Sequence, residues 1–322
     1  YFMLNDTSKN NDPSYANIDE MVRCRFGARS LRNFPKVNTK RIEGGANRSQ
    51  LKGRGMDFSE VRAYHPGDDA RHIDWRVTAK TQKPHTKIYT EKKEKPIYVI
   101  TDLRPSMFFG RNTLKSVTAC HVSATLAWAG LLKDDRAGGI VFSEDDHEET
   151  KPKKSSRSVL KIIRSLQEFS GNLSRSYKKD TQIEHPYKMI EILSEIRKII
   201  SPGCSIFIIS DFIDLSDDCD KCMFELAKVC NVNLCHVFDS FEAELPLGGA
   251  LGVGKGSDRM NLHTGNNSMR EKYKNVFNYR INKLSELRDK LSAGLISIET
   301  NGNYLNTLAL HFGAGRSKHK GI

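Results

Sequence analysis

The sequence predicts an open α/β sheet, mostly parallel, with helices on both faces. Three observations lead there. Ile97-Tyr98-Val99-Ile100-Thr101 and Ser205-Ile206-Phe207-Ile208-Ile209-Ser210 are short, continuous apolar runs rich in β-branched residues. That is the pattern of strands buried on both faces. Between and after them, apolar residues recur at helical spacing, so strands alternate with helices. Asp102 and Asp211 close the two runs, and so reach the carboxyl edge, where ligands of such sheets bind near a topological switch point.

The elements follow in order. Residues 1–14 are polar and expected to be mobile. Ile18, Met21, Val22 and Phe26 give a first helix over 18–31, and 33–56 reads as a Gly-, Asn- and Lys-rich loop. After a charged approach, 92–95, and Pro96 comes the first buried strand, 97–101. Val117, Cys120, Ala124, Trp128 and Leu131 predict a helix over about 113–132. Gly139-Ile140-Val141-Phe142 is a strand; Leu160, Ile163 and Leu166 mark a helix over 159–169. Met189, Leu193, Ile196 and Ile200 mark another, stopped by Pro202-Gly203. Strand 205–211, helix 218–230 and strand 234–239 follow. Residues 244–272 read as a long loop. Phe277, Leu284, Leu287 and Leu291 predict a helix over 273–291; strand 295–299 and helix 304–312 end the pattern.

The densest run is GRGMDFSEVRAYHPGDDARHIDWR, Gly53 to Arg76. It packs Arg62, Arg71 and Arg76 among Asp68, Asp69 and Asp74, with Tyr64, Trp75 and a Pro66-Gly67 turn threaded through. Proline pre-sets φ and glycine supplies φ > 0, so the turn is specific. Asp68 or Asp69 then stands where it can accept from the N–H groups of a short helix start. The run reads as a folded ion-pair module; a purely structural network is the plain alternative.

This run, with Thr78-Ala79-Lys80 and Pro84-His85-Thr86-Lys87 after it, strongly resembles the signature of the family known as domain of unknown function 58. The likeness extends over roughly residues 15–313. Such proteins are associated with MoxR-type AAA+ ATPases and carry a von Willebrand factor A-like domain after the signature. The resemblance therefore implies a doubly wound sheet of that type over 96–313, a signature segment over 15–95 packed on it, and a basic tail over 314–322. Domains of that type hold Mg²⁺ with Asp-x-Ser-x-Ser after the first strand, plus a Thr and a distant Asp. Here the loop is Asp102-Leu103-Arg104-Pro105-Ser106, and Asp211 matches the distant aspartate. The threonine is unassigned, with Thr150 and Thr181 nearby. A hard dication wants oxygen donors, whereas Arg104 brings positive charge and no lone pair. If Arg104 points inward it pairs with Asp102 and Asp211 and replaces the cation; if it points outward, Asp102, Ser106 and Asp211 can still hold Mg²⁺. Aspartates that merely cap loops are the plain alternative.

Composition narrows the rest. No apolar run approaches the roughly 20 residues that span a bilayer, and the first thirty residues lack the apolar core of a secretory signal. A cytoplasmic location is expected. Net charge is +12, which can favour acidic partners, but Lys151-Lys153-Lys154-Arg157, Lys178-Lys179 and Arg316-Lys318-Lys320 carry no interleaved aromatics, so nucleic acid is not the expected partner. Cys219, Cys222 and Cys230 share a helical face with Leu226 and Cys235 lies in a strand; core packing is favoured over zinc or redox chemistry. His65, His72 and His85 fit no familiar metal spacing. Ser106, His121 and Asp211 lack a nucleophile elbow around the serine, and Gly252 to Gly256 lacks the phosphate-loop spacing. The expectation is a non-enzymatic adaptor that works with a MoxR-type ATPase on a client protein. Its partner-binding residues are Arg62, Tyr64, Asp68, Asp69, Arg71, Asp74, Trp75, Arg76 and Arg104. A nucleic-acid binder and a metal-dependent hydrolase are the alternatives.

Overall fold

The computed structural model describes residues 13–34, 56–91, 96–179, 188–246, 248, 250–255 and 258–313. Most of the expected N-terminal tail and of the 33–56 loop, the 92–95 approach, Thr181 and the basic tail lie outside them. The chain forms two compact units, residues 39–94 and residues 1–38 with 95–322.

The larger unit is built on a six-stranded sheet. Its strands are β3 (Ile97–Asp102), β4 (Ala137–Phe142), β5 (His147–Lys153), β6 (Ser205–Ser210), β7 (Asn231–Phe238) and β10 (Gly294–Glu299). They lie in the order β10-β7-β6-β3-β4-β5, parallel except for β5, which runs antiparallel to β4. This is the doubly wound order with an antiparallel edge, and the chain reverses direction across the sheet between β3 and β6. All residues of β3, β4 and β6 are buried. Alternate residues feed two apolar layers. Val99, Val141, Phe207 and Val237 join α1 (Ile18–Ala28), α3 (Lys115–Leu132), α4 (Ser156–Lys179) and α9 (Tyr304–Phe312) on one face. Ile100, Ile140, Ile208 and Leu234 join α5 (Met189–Ile199), α6 (Asp217–Val229) and α8 (Asn267–Leu291) on the other. The first helix is tied in by Trp128, whose Nε1–H donates to the Met21 carbonyl at 3.2 Å.

Several elements differ from the sequence reading. Strand β5, HEETKPK, was not anticipated, because an edge strand with charges and Pro152 lacks the apolar signature. The stretch read as loop 244–272 contains the hairpin β8 (Ala250–Lys255) and β9 (Asp258–His263). Before it stands the short helix α7 (Ser240–Ala243), and α8 begins at Asn267 rather than Tyr273. Its first turns are polar, and the Asn266 side chain caps them by accepting from the Ser268 and Met269 amides. Helix α4 is longer than expected. Phe26 and Leu160, counted on apolar faces, are 62% and 44% exposed. Among the described residues, no helix is long and apolar enough to cross a membrane.

The four clustered cysteines are all buried. Cys219, Cys222 and Cys230 pack in one apolar layer and Cys235 in the other. The sheet separates them, so one ion cannot take all four.

The smaller unit is an antiparallel pair, β1 (Met56–Ala63) and β2 (His85–Glu91), with a bulge between Phe58 and Glu60. A single 3₁₀ turn (Ala70–His72) and α2 (Trp75–Thr81) lie between the strands.

Candidate functional site

The carboxyl edge of the sheet at the β3/β6 switch carries two buried ion-pair clusters. In the first, Asp102 is fully buried at the end of β3. Its Oδ1 accepts from the Arg104 backbone N–H and from Arg104 Nε, each at 3.0 Å. Its Oδ2 accepts from Arg104 Nη2 and from the Ser210 hydroxyl, each at 2.7 Å. The same guanidinium reaches Asp214 with Nη1 at 2.5 Å and Nη2 at 2.9 Å, and lies 5.5 Å from the centre of the Phe142 ring. Burial pushes the Asp102 carboxyl up, against the pull of Arg104 and Ser210. Burial alone would lower Arg104; the Asp102 and Asp214 carboxylates outweigh it and hold the guanidinium firmly charged. Asp214 lies below the usual carboxylate range: burial opposes this, but Arg104 and the Met189 amide prevail.

In the second cluster, Lys115 at the first turn of α3 is completely buried. Its Nζ donates to Asp211 Oδ2 at 2.7 Å and to Glu242 Oε1 at 2.8 Å. Glu242 belongs to the capping box of α7, in which Asp239 accepts from the Phe241 amide and Glu242 from the Asp239 amide. Asp239 also accepts from the Arg111 amide at 3.1 Å and the Thr300 hydroxyl at 2.5 Å. Directly after Asp211, Phe212 is fully buried with φ 51°. A left-handed bulky residue costs of order 1–3 kcal/mol and persists only where its surroundings hold it. Here its amide donates to Ser210 Oγ at 3.0 Å. The next residue, Ile213, is 50% exposed. The loop after β3 closes through Gly110, where a Cβ would overlap the Thr113 carbonyl oxygen.

Arg104 therefore turns inward, as one of the two sequence readings held, but its second partner is Asp214 and not Asp211. Asp211 takes Lys115, whose stem reaches the cluster from the helix start. These donors do not fit Mg²⁺: both Asp102 oxygens accept from the protein, and each aspartate already faces a cation. Ser106, in the 3₁₀ turn Pro105–Met107, makes no side-chain hydrogen bond to them. Thr150 lies opposite Gly139 in the middle of the edge strand β5, away from the carboxyl edge where Phe142 pairs with Asp102. Among the described residues, no group of three or more His, Cys, Asp or Glu side chains is arranged to hold a metal. His121 does not approach Asp211; its Nε2 lies 3.3 Å from Glu20 and its ring stacks on Tyr304.

Lys115, Asp214, Asp239 and Glu242 escaped sequence reading. The last two had a signal, the Asp-x-x-Glu box straight after a buried strand. Lys115 had only its place at the head of an otherwise apolar helix. Beside them, His236 is fully buried and stacked on Phe238 at 5.3 Å. Burial pushes it down to about 3, so it stays neutral.

The smaller unit arranges the signature residues as turns and caps. His65-Pro66-Gly67-Asp68 is a turn closed by Asp68 N–H to His65 O at 3.0 Å, with Gly67 at φ 106°, the type II geometry of a Pro-Gly pair. Asp68 pairs with Arg62 at 2.7 Å and accepts from the His65 amide. Asp69 caps the 3₁₀ turn, and Asp74 caps α2 through the Arg76 and Val77 amides. Tyr64 is anchored by its amide to Pro84 O at 2.8 Å. Arg71, Trp75 and Arg76 are exposed, Trp75 by 71%. Arg71 grips Asp69 with Nε and Nη2 and draws its carboxyl down to about 2 from the ordinary 3.8. A depressed carboxyl favours the folded turn above its ordinary value, and that contribution is lost as pH falls through about 2. A ¹³C titration of Asp69 is expected to show that midpoint, and Arg71→Gln to move it up. An unmoved midpoint would remove Arg71 as the cause.

The family model described as "Protein of unknown function DUF58" matches residues 60–280. Uncharacterized proteins of Mycobacterium bovis and Mycobacterium tuberculosis are each 32% identical over 105 residues, 32% of this chain. The match spans 31% of those relatives' own length. Among solved structures, the conserved hypothetical protein BatB from Bacteroides thetaiotaomicron aligns with TM-score 0.44 and 13% identity, over 67% of this chain and 95% of that one. An aerotolerance-related membrane protein from Bacteroides fragilis aligns with TM-score 0.33 and 14% identity, over 62% of this chain and 98% of that one.

Proposed function

We propose, from the premise that this chain belongs to the family described as protein of unknown function DUF58, that it is a non-enzymatic adaptor with a von Willebrand factor A-type sheet. It works in the cytoplasm with a MoxR-type AAA+ ATPase in assembly, maturation or protection of a client protein. The observation that carries this reading is the pairing of Asp102 with Arg104 and of Asp211 with Lys115. Protein cations stand where an adhesion-type site would use a metal, so the edge is a preformed, degenerate docking site rather than a Lewis-acid centre. The strained Phe212 and half-exposed Ile213 beside Asp214 support a contact surface there. The strand order with its antiparallel edge supports the von Willebrand type.

The signature unit serves as the ATPase contact in this reading. Trp75 and Arg76 are of the types that dominate interface energies, and Trp75 is 71% exposed. Tagged protein incubated in native lysate with a slowly hydrolysed ATP analogue is expected to capture a MoxR-type ATPase. Trp75→Ala is expected to leave unfolding free energy within about 0.5 kcal/mol of wild type and to weaken capture about 30-fold, a loss of about 2 kcal/mol. If folded wild-type bait captures no ATPase, the adaptor reading fails. If Trp75→Ala unfolds the protein or leaves capture intact, the signature docking surface fails.

A further inference from the structure

At the amino edge of the sheet, away from the ion-pair clusters, two thiols lie in contact. Cys204 precedes the first residue of β6 and Cys230 the first residue of β7. Ser205 and Asn231 are register partners, so the two cysteines stand side by side on adjacent parallel strands. The Asn231 amide donates to the Cys204 carbonyl at 2.9 Å. Their Sγ atoms are 3.1 Å apart, with Cys204 S–H aimed at Cys230 Sγ. A disulfide needs them at about 2.05 Å, a closure of about 1 Å that a χ1 adjustment on two anchored strands can supply. Cys204 is fully buried and Cys230 is 9% exposed, under the exposed 201–203 turn.

We propose that Cys204 and Cys230 form a peroxide-reactive dithiol that closes to a reversible intramolecular disulfide, with Cys230 as the attacking sulfur and Cys204 as the resolving one. The Cys230 thiolate attacks one oxygen of hydrogen peroxide; the O–O bond breaks, hydroxide leaves, and Cys230 becomes a sulfenic acid. The Cys204 sulfur then attacks the Cys230 sulfur. An S–S bond forms, the S–O bond breaks, and water departs with the Cys204 proton. In sum, two thiols and one peroxide give one disulfide and two waters. A small-molecule thiol returns the pair to the reduced state by exchange. The contact accords with this division of roles. Cys204 S–H pulls the Cys230 thiol below its ordinary value, against burial, and the same contact together with burial pushes Cys204 up. Access carries the assignment, since Cys204 is fully buried and Cys230 is 9% exposed.

Cys222 serves as an internal control, since it is also 9% exposed but has its thiol pushed up by burial. Full-length native protein is treated with hydrogen peroxide, and peptides are mapped by mass spectrometry without reduction. The expected result is a Cys204–Cys230 linked peptide, lighter by two hydrogens and split by dithiothreitol, forming at least about tenfold faster than Cys222 oxidises. In Cys204→Ser, a Cys230 sulfenic acid is expected to persist and be trapped by dimedone. The proposal is overturned if the link forms only in denaturant, or if Cys222 oxidises as fast as the pair closes. The wild-type mapping decides this even where the serine variant does not fold.

Discussion

Lys115→Met is expected to destabilise the protein by about 3–5 kcal/mol, the cost of removing one partner from a buried charge cluster. The substitution keeps a long unbranched stem in the same space, so cavity terms stay small. It also takes the ammonium from Asp211 and Glu242, both inside hydrogen-bond distance and both buried. Arg280 Nη1 already pairs with Glu242 at 3.8 Å, so it relieves part of the Glu242 charge, while Asp211 loses the ammonium that pairs with it. The two carboxylates then face each other across a dry site. Urea unfolding of wild type and variant measures the loss. The triple variant Lys115→Met, Asp211→Asn, Glu242→Gln is expected to recover part of it, because isosteric neutral groups remove the uncompensated carboxylates while Arg280 loses Glu242. A single-variant loss under about 1 kcal/mol, the range of exposed pairs, would mean that water or rearrangement screens the cluster and that Lys115 is no substitute cation.

The sheet was legible because its central strands are buried on both faces, so burial writes itself into the sequence as unbroken apolar runs such as Ile97–Thr101 and Ser205–Ser210. Asp102 and Asp211 could be placed at the carboxyl edge for the same reason: each ends such a run. Strand β5 and the β8–β9 hairpin were not legible, since an edge strand full of charge and a Gly-rich hairpin carry no burial signal. The Pro66-Gly67 turn was readable from local chemistry alone, which also narrowed the cap to Asp68 or Asp69; Asp69 makes it. Partner choice inside the site was not. Arg104 neighbours Asp102 in sequence and their pairing could be anticipated, whereas Asp214 lies 110 residues away and Lys115 lies 96 from Asp211. Those pairings are set by how α3 and the loop after β6 meet over the edge.

The second large effect concerns Arg104 and depends on pH. Arg104→Met is expected to cost about 3–5 kcal/mol at neutral pH, because Asp102 loses the one cation that pairs with it among the described residues while remaining fully buried. Asp214 adds less, since its side chain is 35% exposed and water can replace part of the pair. Burial already raises the folded-state affinity of Asp102 for a proton, and Arg104 opposes that rise. Without Arg104 the rise is larger. A carboxyl with a raised folded-state value favours folding below its ordinary value and loses that contribution as pH climbs through the raised one. The variant therefore suffers most near neutrality, and the gap in unfolding free energy between it and wild type is expected to shrink as pH is lowered toward about 4. Adding Asp102→Asn is expected to flatten that pH dependence and restore stability near neutrality, since a neutral amide needs no cation. Millimolar Mg²⁺ is expected to leave wild-type thermal stability unchanged, as both aspartates are engaged by protein cations; a ligand of the folded state would raise it. A gap that stays constant with pH would show that Arg104 stabilises through its packing on Phe142 rather than by neutralising Asp102. A Mg²⁺-dependent rise in wild type would show that the guanidinium yields the site to a metal.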